Sequence, residues 1–579
     1  MHFALSFLLA VATWFGAAGL ARAHWHDDVG YTQLENTLGA NLPTGQGVYV
    51  SQVEAGSGTN NNNYVPDPNL IDFGADSDPF GQAVTFVNGS AGAHPNPGVL
   101  IHAGGVGRFF YGSPQSMAPG ANTVVNYETN DYLISFLNGS ASTPPDPPTF
   151  VDPSDGKTKS YVVQNHSWAG VSSDSNSATD RTYLRKIDYL IDTYDVTMAV
   201  GVSNNGDTGP PHPTLPNLLG HSYNAIVVGR SDGLNSINST TLSQYGPGRA
   251  KPTIVIGGAS TDLNSVSRAT GAVSGAAAMF HQVLAGTDGT RSETMRAVLL
   301  AGATKEEFTS YVDPATGLLD PWTRSTTQPL DNIFGAGELN VFNSYLITQG
   351  GEFDGSTTAT PTPIERYGWD YETVNASSAR KYEFEIPAGS TATEFSIILT
   401  WNVEIDPPFS TQSLANLNLT LKNSGGSTVD QSISGVDNTE HIYVGPGQLV
   451  TALGPGTYTL EVDTNLSRDY GLAWRMTTLF DEPSADFDED GDVDGVDFLT
   501  WQRNVGTLLN AAHGEGDADG DGDVDDADLA IFETGYGAPP LIASLNAVPE
   551  PGALALAVAT LGLMTFFRHR RPAGSGAWN

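Results

Sequence analysis

Four side chains that together could carry out nucleophilic catalysis occur at widely separated positions: Glu54, His102, Asn204 and Ser267. A serine hydroxyl becomes a nucleophile when a histidine accepts its proton and a carboxylate orients that histidine. A side-chain amide can stabilise the oxyanion that forms when the serine attacks a carbonyl group. These residue types therefore predict acyl transfer, provided that the fold brings them together.

Each of the four residues also has an ordinary structural interpretation. Ser267 precedes a run of small apolar residues at helical spacing, which is typical of a serine that caps a buried helix. Glu54 would then be a buried acid at the end of a strand, His102 a histidine of the core and Asn204 a loop cap. The local sequence leaves both interpretations open.

The elements around these residues indicate an α/β domain. Strand-like runs at 47–56, 193–202 and 224–229 alternate with helical patterns such as residues 178–194. Valine-rich and isoleucine-rich strands that alternate with helices are typical of a largely parallel sheet covered on both faces. Within the first run, Glu54 is predicted to end the buried strand, at the carboxyl edge where open α/β sheets place their sites.

Several motifs around the four residues resemble those of the subtilisin-like serine proteases, or subtilases. In chain order they are GVYVSQVEAG (47–56), HAGGVG (102–107), SMAPGA (116–121), SWAG (167–170), SNNG (203–206), GPGRAKPTIVIGGAS (246–260) and SVSRATGAVSGAAAMF (265–280). The resemblance covers roughly residues 40–345. It implies a subtilisin-like mostly parallel sheet with helices on both faces, and a peptide or protein substrate.

The resemblance also implies a role for each residue. His102 would take the proton of Ser267, Glu54 would hold the imidazole, and Asn204 with the Ser267 backbone N–H would bind the oxyanion. SWAG would pair with the substrate. Glutamate stands where the family has aspartate, which other hydrolase folds permit.

The nucleophile motif departs further from the family. Ser265, Val266, Arg268 and Gly271 replace the family's glycine, threonine, methionine and proline. A side chain at position 265 would crowd the turn that exposes the nucleophile. This departure favours the alternative of a catalytically impaired protein that keeps the fold as a binding scaffold.

Both ends of the chain resemble processing signals. Residues 1–23 are typical of a secretory signal peptide, because an apolar stretch ends in a small-x-small pattern. Residues 547–572 carry Pro-Glu-Pro, a short apolar run and basic residues, and resemble the PEP-CTERM sorting tail of some Gram-negative bacteria. They imply export to the cell surface, outer membrane or extracellular space, with transient membrane anchoring.

Composition agrees with an exported, acidic protein. The net charge is −39 and the 579 residues include no cysteine, so disulfides cannot stabilise the chain. The excess of acid predicts repulsion of nucleic acid and attraction of divalent cations. Because no HExxH or CxxC motif occurs, the sequence gives no support for zinc chemistry.

The rest of the chain divides by composition. We predict a subtilisin-like peptidase domain over 24–345 and a linker rich in threonine and proline over 346–363. Short alternating runs over 364–480 predict an antiparallel β-sandwich of very low helical content, similar to the β-domain that follows some bacterial subtilase domains. A small helical calcium-binding module follows over 484–538, and a hydrophobic helix is expected in the tail.

Two acidic loops carry the calcium-loop spacing, with acids at positions 1, 3, 5, 9 and 12 and glycine at 6. The predicted calcium ligands are Asp486, Asp488, Asp490, Asp494 and Asp497, then Asp517, Asp519, Asp521, Asp525 and Asp528. A disordered acidic linker is the alternative, although linkers do not repeat glycine in register. The spacing and the helix after each loop resemble a type I dockerin module, which implies a cohesin-like partner.

The sequence thus predicts an exported serine endopeptidase with a Glu/His/Ser triad, tethered or assembled at the cell surface. Two alternatives remain. One is the impaired scaffold, and the other is a calcium-dependent surface binding or assembly protein in which proteolysis is incidental.

Overall fold

The computed structural model describes residues 25–70, 83–139, 142–170, 177–204, 218–236, 238–239, 245–246, 248–257, 262–308, 311–313, 317–489 and 492–536. The predicted signal peptide and the predicted sorting tail with its hydrophobic helix lie outside these residues, and so does Asp490. None of the helices within the described ranges combines the length and the apolar character that crossing a bilayer requires.

The first part of the chain alternates strands with helices. Its helices are α1 (Trp25–Asp28), α2 (Tyr31–Leu38), α3 (Ile101–Phe110), α4 (Thr129–Asp131, continued by a π turn over Tyr132–Phe136), α5 (Ser177–Tyr194), α6 (Val266–Val283), α7 (Ser292–Gly302) and α8 (Val341–Gly350). Its strands are β1 (Val50–Glu54), β2 (Asn63–Val65), β3 (Thr85–Asn88), β4 (Gly98–Val99), β5 (Thr123–Glu128), β6 (Thr149–Val151), β7 (Thr158–Ser160), β8 (Val163–His166), β9 (Thr197–Gly201), β10 (Ile226–Arg230), β11 (Asn238–Ser239), β12 (Ala250–Lys251) and β13 (Ile254–Ile256).

Seven of these strands form one parallel sheet in the order β13-β10-β9-β8-β1-β5-β3. Because side chains alternate along a strand, neighbouring residues enter different cores. Val50 packs in the core that includes α3 and α6, whereas Val53 packs in the core that includes α5. The sheet is therefore covered on both faces.

The second part is a sandwich of two sheets. Its strands are β14 (Thr362–Pro363), β15 (Tyr367–Val374), β16 (Arg380–Ile386), β17 (Ser390–Thr400), β18 (Leu417–Asn423), β19 (Thr428–Ser432), β20 (Thr439–Val444), β21 (Gly456–Thr464) and β22 (Arg468–Phe480). One sheet has the order β14-β16-β21-β18-β19 and the other β15-β22-β17-β20. Every pairing is antiparallel except β14 with β16. The predicted fold class is confirmed for both parts.

The sandwich packs directly on the α/β domain. Trp369 and Ala473 of the sandwich belong to the same apolar core as α6 and α7. Arg296 of α7 is buried and donates to Asn224 O at 2.7 Å and to Trp401 O at 2.8 Å. The two domains therefore share a continuous interior.

The boundary between the domains lies later than the sequence suggests. Helix α8 continues to Gly350, so the predicted boundary at 345 falls inside it. Beyond Gly350 the chain runs beside β15, where Phe353 N donates to Trp369 O at 3.0 Å. Part of the segment 346–363 is thus built into the two domains.

A small module completes the described chain. Helix α9 (Gly495–Asn504) and helix α10 (Asp526–Gly535) each follow one acidic loop. Both begin with a capping box, in which Asp494 pairs with Asp497 and Asp525 with Asp528. A side chain that accepts the free N–H groups of the first turn fixes the point where a helix starts.

Candidate active site

The strand order places three parts of the site at one edge of the sheet. Glu54 ends β1, Ser167 directly follows β8, and Asn204 follows β9 by three residues. Since β1, β8 and β9 are parallel neighbours across the sheet, their carboxyl ends meet at the same edge.

Glu54 and His102 form a close pair. Glu54 Oε2 lies 2.7 Å from His102 Nδ1, while the glutamate side chain is buried and the imidazole is 47% exposed. His102 is the second residue of α3. With Nδ1 bound to the carboxylate, the imidazole presents Nε2 as its remaining ring nitrogen, the atom that a general base uses.

The second carboxylate oxygen of Glu54 is also held. Gln52 Nε2 donates to Glu54 Oε1 at 2.7 Å and to Ala103 O at 3.0 Å. Tyr111 donates its hydroxyl to Gln52 Oε1 at 2.5 Å, which fixes the orientation of the amide. Gln52 thus ties the acid to the first turn of α3 and positions the longer glutamate side chain.

The electrostatics of the pair favour a charged imidazole. The hydrogen bond from Glu54 raises the pKa of His102 above its ordinary value of 6.5. Burial opposes this shift, and the positive charge of Arg268 lowers the pKa as well. Arg268 lies close by, with its guanidinium carbon 5.8 Å from the centre of the Phe109 ring on α3.

Ser267 is the second residue of α6 and does not cap it. The N-cap is Ser265, whose hydroxyl accepts a hydrogen bond from Arg268 N at 3.4 Å. The capping interpretation suggested by the local sequence therefore applies to Ser265. Ser267 is half-buried, at the N-terminal end of an 18-residue helix, where the helix dipole stabilises negative charge.

Two serines bind each other across the site. Ser267 Oγ donates to Ser167 O at 3.2 Å, and Ser167 Oγ donates to Ser267 O at 2.9 Å. No hydrogen bond joins His102 to Ser267 within the described residues. The serine hydroxyl therefore points toward the end of β8 rather than bonding to the imidazole.

Asn204 is oriented for donation. Its Oδ1 accepts from Val266 N at 2.9 Å, and because a backbone N–H can only donate, the oxygen must face the helix. The amide nitrogen Nδ2 then faces away from Val266. The Ser267 backbone N–H, in the first turn of α6, forms no hydrogen bond with the described residues. The two groups are the predicted oxyanion donors.

Small residues let α3 and α6 approach closely. A Cβ atom placed on Gly271 would lie 2.8 Å from Val106 O of α3, and one on Gly275 would lie 3.0 Å from Phe110 O. These glycines lie on the α6 face that contacts α3, so they set the spacing between the helix of His102 and the helix of Ser267.

The acidic loops hold their carboxylates close together. Three groups have carboxylate oxygens within 4.8 Å of one another: Asp486, Asp488 and Asp497; Asp517, Asp519 and Asp521; and Asp523, Asp525 and Asp528. Asp494 is the N-cap of α9, and Asp490 is outside the described residues. Asp523, at loop position 7, was not among the predicted ligands, because that position supplies a backbone carbonyl in the template.

The donor set fits a hard cation. Burial raises the pKa of Asp517 to about 7 and that of Asp523 to about 8, and the charge of Asp521 adds to both shifts. Asp523 Oδ1 is buried and has no hydrogen-bond partner. Buried carboxylates that crowd one another are stabilised by a cation or by protonation, and oxygen-only ligands are those that calcium prefers.

Comparison with known proteins finds no match among protein-family models or among curated proteins. Similar solved structures include a Pseudomonas sedolisin, a serine-carboxyl proteinase bound to pseudo-iodotyrostatin, which is 14% identical with a TM-score of 0.35 and covers 57% of this chain and 100% of that one. The serine protease MycP1 of the type VII (ESX-1) secretion system is 15% identical with a TM-score of 0.29, covering 57% and 90%. Tripeptidyl peptidase 2 is 11% identical with a TM-score of 0.25, covering 66% and 40%. None of these likenesses assigns a role to a residue here.

Sequence reasoning missed the residues that position the site. Gln52 lies two residues before Glu54 on β1, so the two side chains point to the same face of the sheet. The two-residue period of a strand could have predicted this. The capping role of Ser265 was also visible as a serine directly before the helix. The two hydrogen bonds between Ser167 and Ser267 join segments that are 100 residues apart in the chain. No pattern in the sequence predicts them.

Proposed function

We propose that this protein is a serine endopeptidase with Ser267 as nucleophile, His102 as general base and Glu54 as the orienting acid. The observation that carries the proposal is the 2.7 Å contact between Glu54 and His102 at the sheet edge. The helix of His102 packs against α6, the helix that begins at Val266 and carries Ser267 as its second residue. An orienting acid, a half-exposed base and a helix-terminal hydroxyl together support acyl transfer.

The reaction would proceed in two stages. Ser267 Oγ bonds to the substrate carbonyl carbon as its proton passes to His102 Nε2, and Asn204 Nδ2 with the Ser267 N–H stabilises the oxyanion. The carbon–nitrogen bond then breaks and the imidazolium returns its proton to the leaving amine. In the second stage water gives its proton to His102 and attacks the acyl group, which releases the acid and restores the hydroxyl of Ser267.

Substrate binding would prepare the nucleophile. In the resting state Ser167 O accepts the hydroxyl of Ser267 at 3.2 Å. Residues 167–170 form no strand pairing within the described chain, so their backbone is free to pair with an extended substrate. A substrate N–H that bonds to Ser167 O would compete with Ser267 Oγ and favour its rotation toward His102.

A fluorophosphonate probe tests this proposal. We expect covalent labelling of Ser267 in the full chain and its loss in Ser267→Ala and His102→Ala. Ser265→Ala is the matched control, because it removes the capping hydroxyl two residues away and should leave the labelling site intact. Labelling that persists in Ser267→Ala would contradict the assignment. No labelling of the wild-type chain at any pH would favour the impaired scaffold.

We further propose that residues 484–538 bind two calcium ions and dock a cohesin-like partner. The capping boxes and the three clusters of aspartate carboxylates in this module support a calcium-dependent fold. Asp486, Asp488, Asp497, Asp517, Asp519, Asp521, Asp525 and Asp528 would hold the ions, together with Asp490 and Asp494. Calcium would neutralise these acids and order the loops. Export and surface sorting by the two ends of the chain would place this module outside the cell.

Calorimetric titration of the full chain with calcium, followed by pull-down with cohesin domains, tests the docking function. Asp519→Ala should weaken calcium binding at the second loop and reduce cohesin capture. Asp526→Asn has the same charge change at an exposed position of α10 outside the predicted ligand set, so it should retain both properties. Cohesin capture that is equal in calcium and in chelator would contradict calcium-dependent docking.

A further inference from the structure

A second group of acids lies far along the chain from the acidic loops, where the α/β domain continues into the sandwich. After α8 the backbone passes Gly351 and runs alongside β15, with Trp369 N donating to Gly351 O at 3.0 Å. Farther on, Gly355 N donates to Asp370 Oδ2 at 3.2 Å. This exit segment, residues 351–355, and the strand β15 are thus held side by side.

Three carboxylates converge at this junction. Glu352 and Asp354 belong to the exit segment and Asp370 belongs to β15, and one carboxylate oxygen of each lies within 4.8 Å of the other two. Glu352 and Asp354 are exposed, whereas Asp370 is completely buried. The group therefore has one buried wall and a side open to solvent.

The buried carboxylate has an unused oxygen. Asp370 Oδ2 accepts hydrogen bonds from the Tyr382 hydroxyl at 2.5 Å and from Gly355 N at 3.2 Å, but Oδ1 has no hydrogen-bond partner. A buried carboxylate oxygen without a donor is costly unless a cation or a proton satisfies it.

Neighbouring charges do not neutralise the group. Arg380 comes close, since its Nη1 donates to Gly355 O at 2.8 Å, but it is ion-paired with Glu372. On the other side the nearby acid Asp288 adds negative charge, and it is itself bound by Arg291 at 3.2 Å. The junction thus keeps an excess of negative charge.

We propose that Glu352, Asp354 and Asp370 bind a calcium ion that fastens the exit segment of the α/β domain to the sandwich. Calcium takes oxygen ligands at 2.3–2.6 Å, so two oxygens on one ion stand at most about 5 Å apart. The carboxylate oxygens all lie within 4.8 Å of one another, which fits this limit. Water would complete the shell on the open side.

Counting bound calcium in the full chain tests this site independently of peptidase activity and of the acidic loops. Native mass spectrometry at saturating calcium should find one ion fewer in Glu352→Gln/Asp354→Asn than in the wild-type chain. Both residues are exposed, so the replacements should leave the fold intact, which circular dichroism checks. Glu385→Gln removes an exposed carboxylate elsewhere in the sandwich and should keep the wild-type count.

Terbium luminescence gives a second readout. Tyr382 lies against Asp370, so its excitation should sensitise a terbium ion at the junction, and the emission plateau should fall in the double variant but not in Glu385→Gln. The rival state is a cation-free site with a protonated Asp370, because burial raises the pKa of this carboxyl to about 7. An ion count and a terbium plateau identical in the wild type and the double variant would establish that state and overturn the proposal.

Discussion

At the scale of single residues, the site depends on a glutamate with both oxygens engaged. Glu54 holds His102 through one oxygen and is itself held by Gln52 through the other. The additional methylene of glutamate relative to aspartate is thus accommodated by a partner on the same strand. Such doubly fixed acids keep an imidazole in one tautomer and one orientation.

The raised pKa of His102 leads to a prediction about pH. A general base acts only when neutral, so the ascending limb of kcat/KM should lie above pH 6.5, the ordinary pKa of histidine. Glu54→Gln removes the main cause of the shift and should move the limb to lower pH while reducing the rate by roughly 10⁴. The profile is measured with a fluorogenic peptide or by fluorophosphonate labelling. Glu385→Gln should leave it unchanged, and an unmoved limb in Glu54→Gln would refute the coupling.

The two roles of Asn204 can be separated by substitution. Asn204→Asp keeps an oxygen for the Val266 N–H but loses the Nδ2 donor, so thermal stability should hold while kcat falls by about 10²–10³. Asn204→Ala should lose both the donor and the contact with Val266. Steady-state kinetics and thermal melting of the two variants measure the difference. Equal kcat in wild type and Asn204→Asp would remove Asn204 from the oxyanion site.

At the scale of elements, the separation between α3 and α6 sets the distance between the helices that carry His102 and Ser267. Gly271 contacts the backbone of α3 so closely that a methyl group has no space. Backbone cannot rotate away as a side chain can, so the helices themselves would have to move.

Gly271→Ala should therefore lower both stability and activity. We expect a loss of about 1–3 kcal/mol in the free energy of unfolding, because overpacking forces the helices apart. Gly105→Ala on α3 is the matched control, since a Cβ there meets nothing within 4 Å. It should raise stability by about 0.5–1 kcal/mol through helix propensity. Chemical denaturation measures both, and a neutral Gly271→Ala would contradict the role of this contact.

The sequence predicted the elements better than their contacts. The run at 178–194 became α5, and the run ending at Glu54 became β1, because periodicity and β-branched residues report local structure directly. The order of motifs also predicted that His102 would lie beside Glu54 and Asn204 beside the start of α6, and hydrogen bonds join both pairs. The hydrogen bonds between Ser167 and Ser267 and the carboxylate cluster at Asp370 depend on contacts between distant parts of the chain, which no local pattern encodes.

At the scale of the whole molecule, the sandwich and the α/β domain are packed together as one structural unit. Gly471 of β22 lies so close to α7 that a Cβ atom would be 2.5 Å from the backbone at Glu293 and Thr294. Arg475 is buried, ion-paired with Glu394 and bonded to Ala301 O at 3.1 Å. An interface with this packing behaves like a domain core.

The two domains should accordingly unfold together. Calorimetry of the full chain is expected to show one cooperative transition for the α/β domain and the sandwich. Gly471→Ala should lower its midpoint and reduce peptidase activity, because the clash is with the backbone of α7. Gly454→Ala, where a Cβ meets nothing within 4 Å, should leave both unchanged. Two separate transitions in the wild-type chain would contradict this coupling.

The exposed stretch 357–360 lies between the exit segment and β14, on the surface of a protein proposed to cut peptides. A single cut there would sever the covalent link between the two domains. The first fragment would keep α7 with Arg296, and the second would keep β22 with Arg475. Because these elements pack against each other, the nicked protein would still migrate as one particle and would come apart only in denaturant. A measurement of particle size under native conditions would therefore not detect self-digestion at this loop.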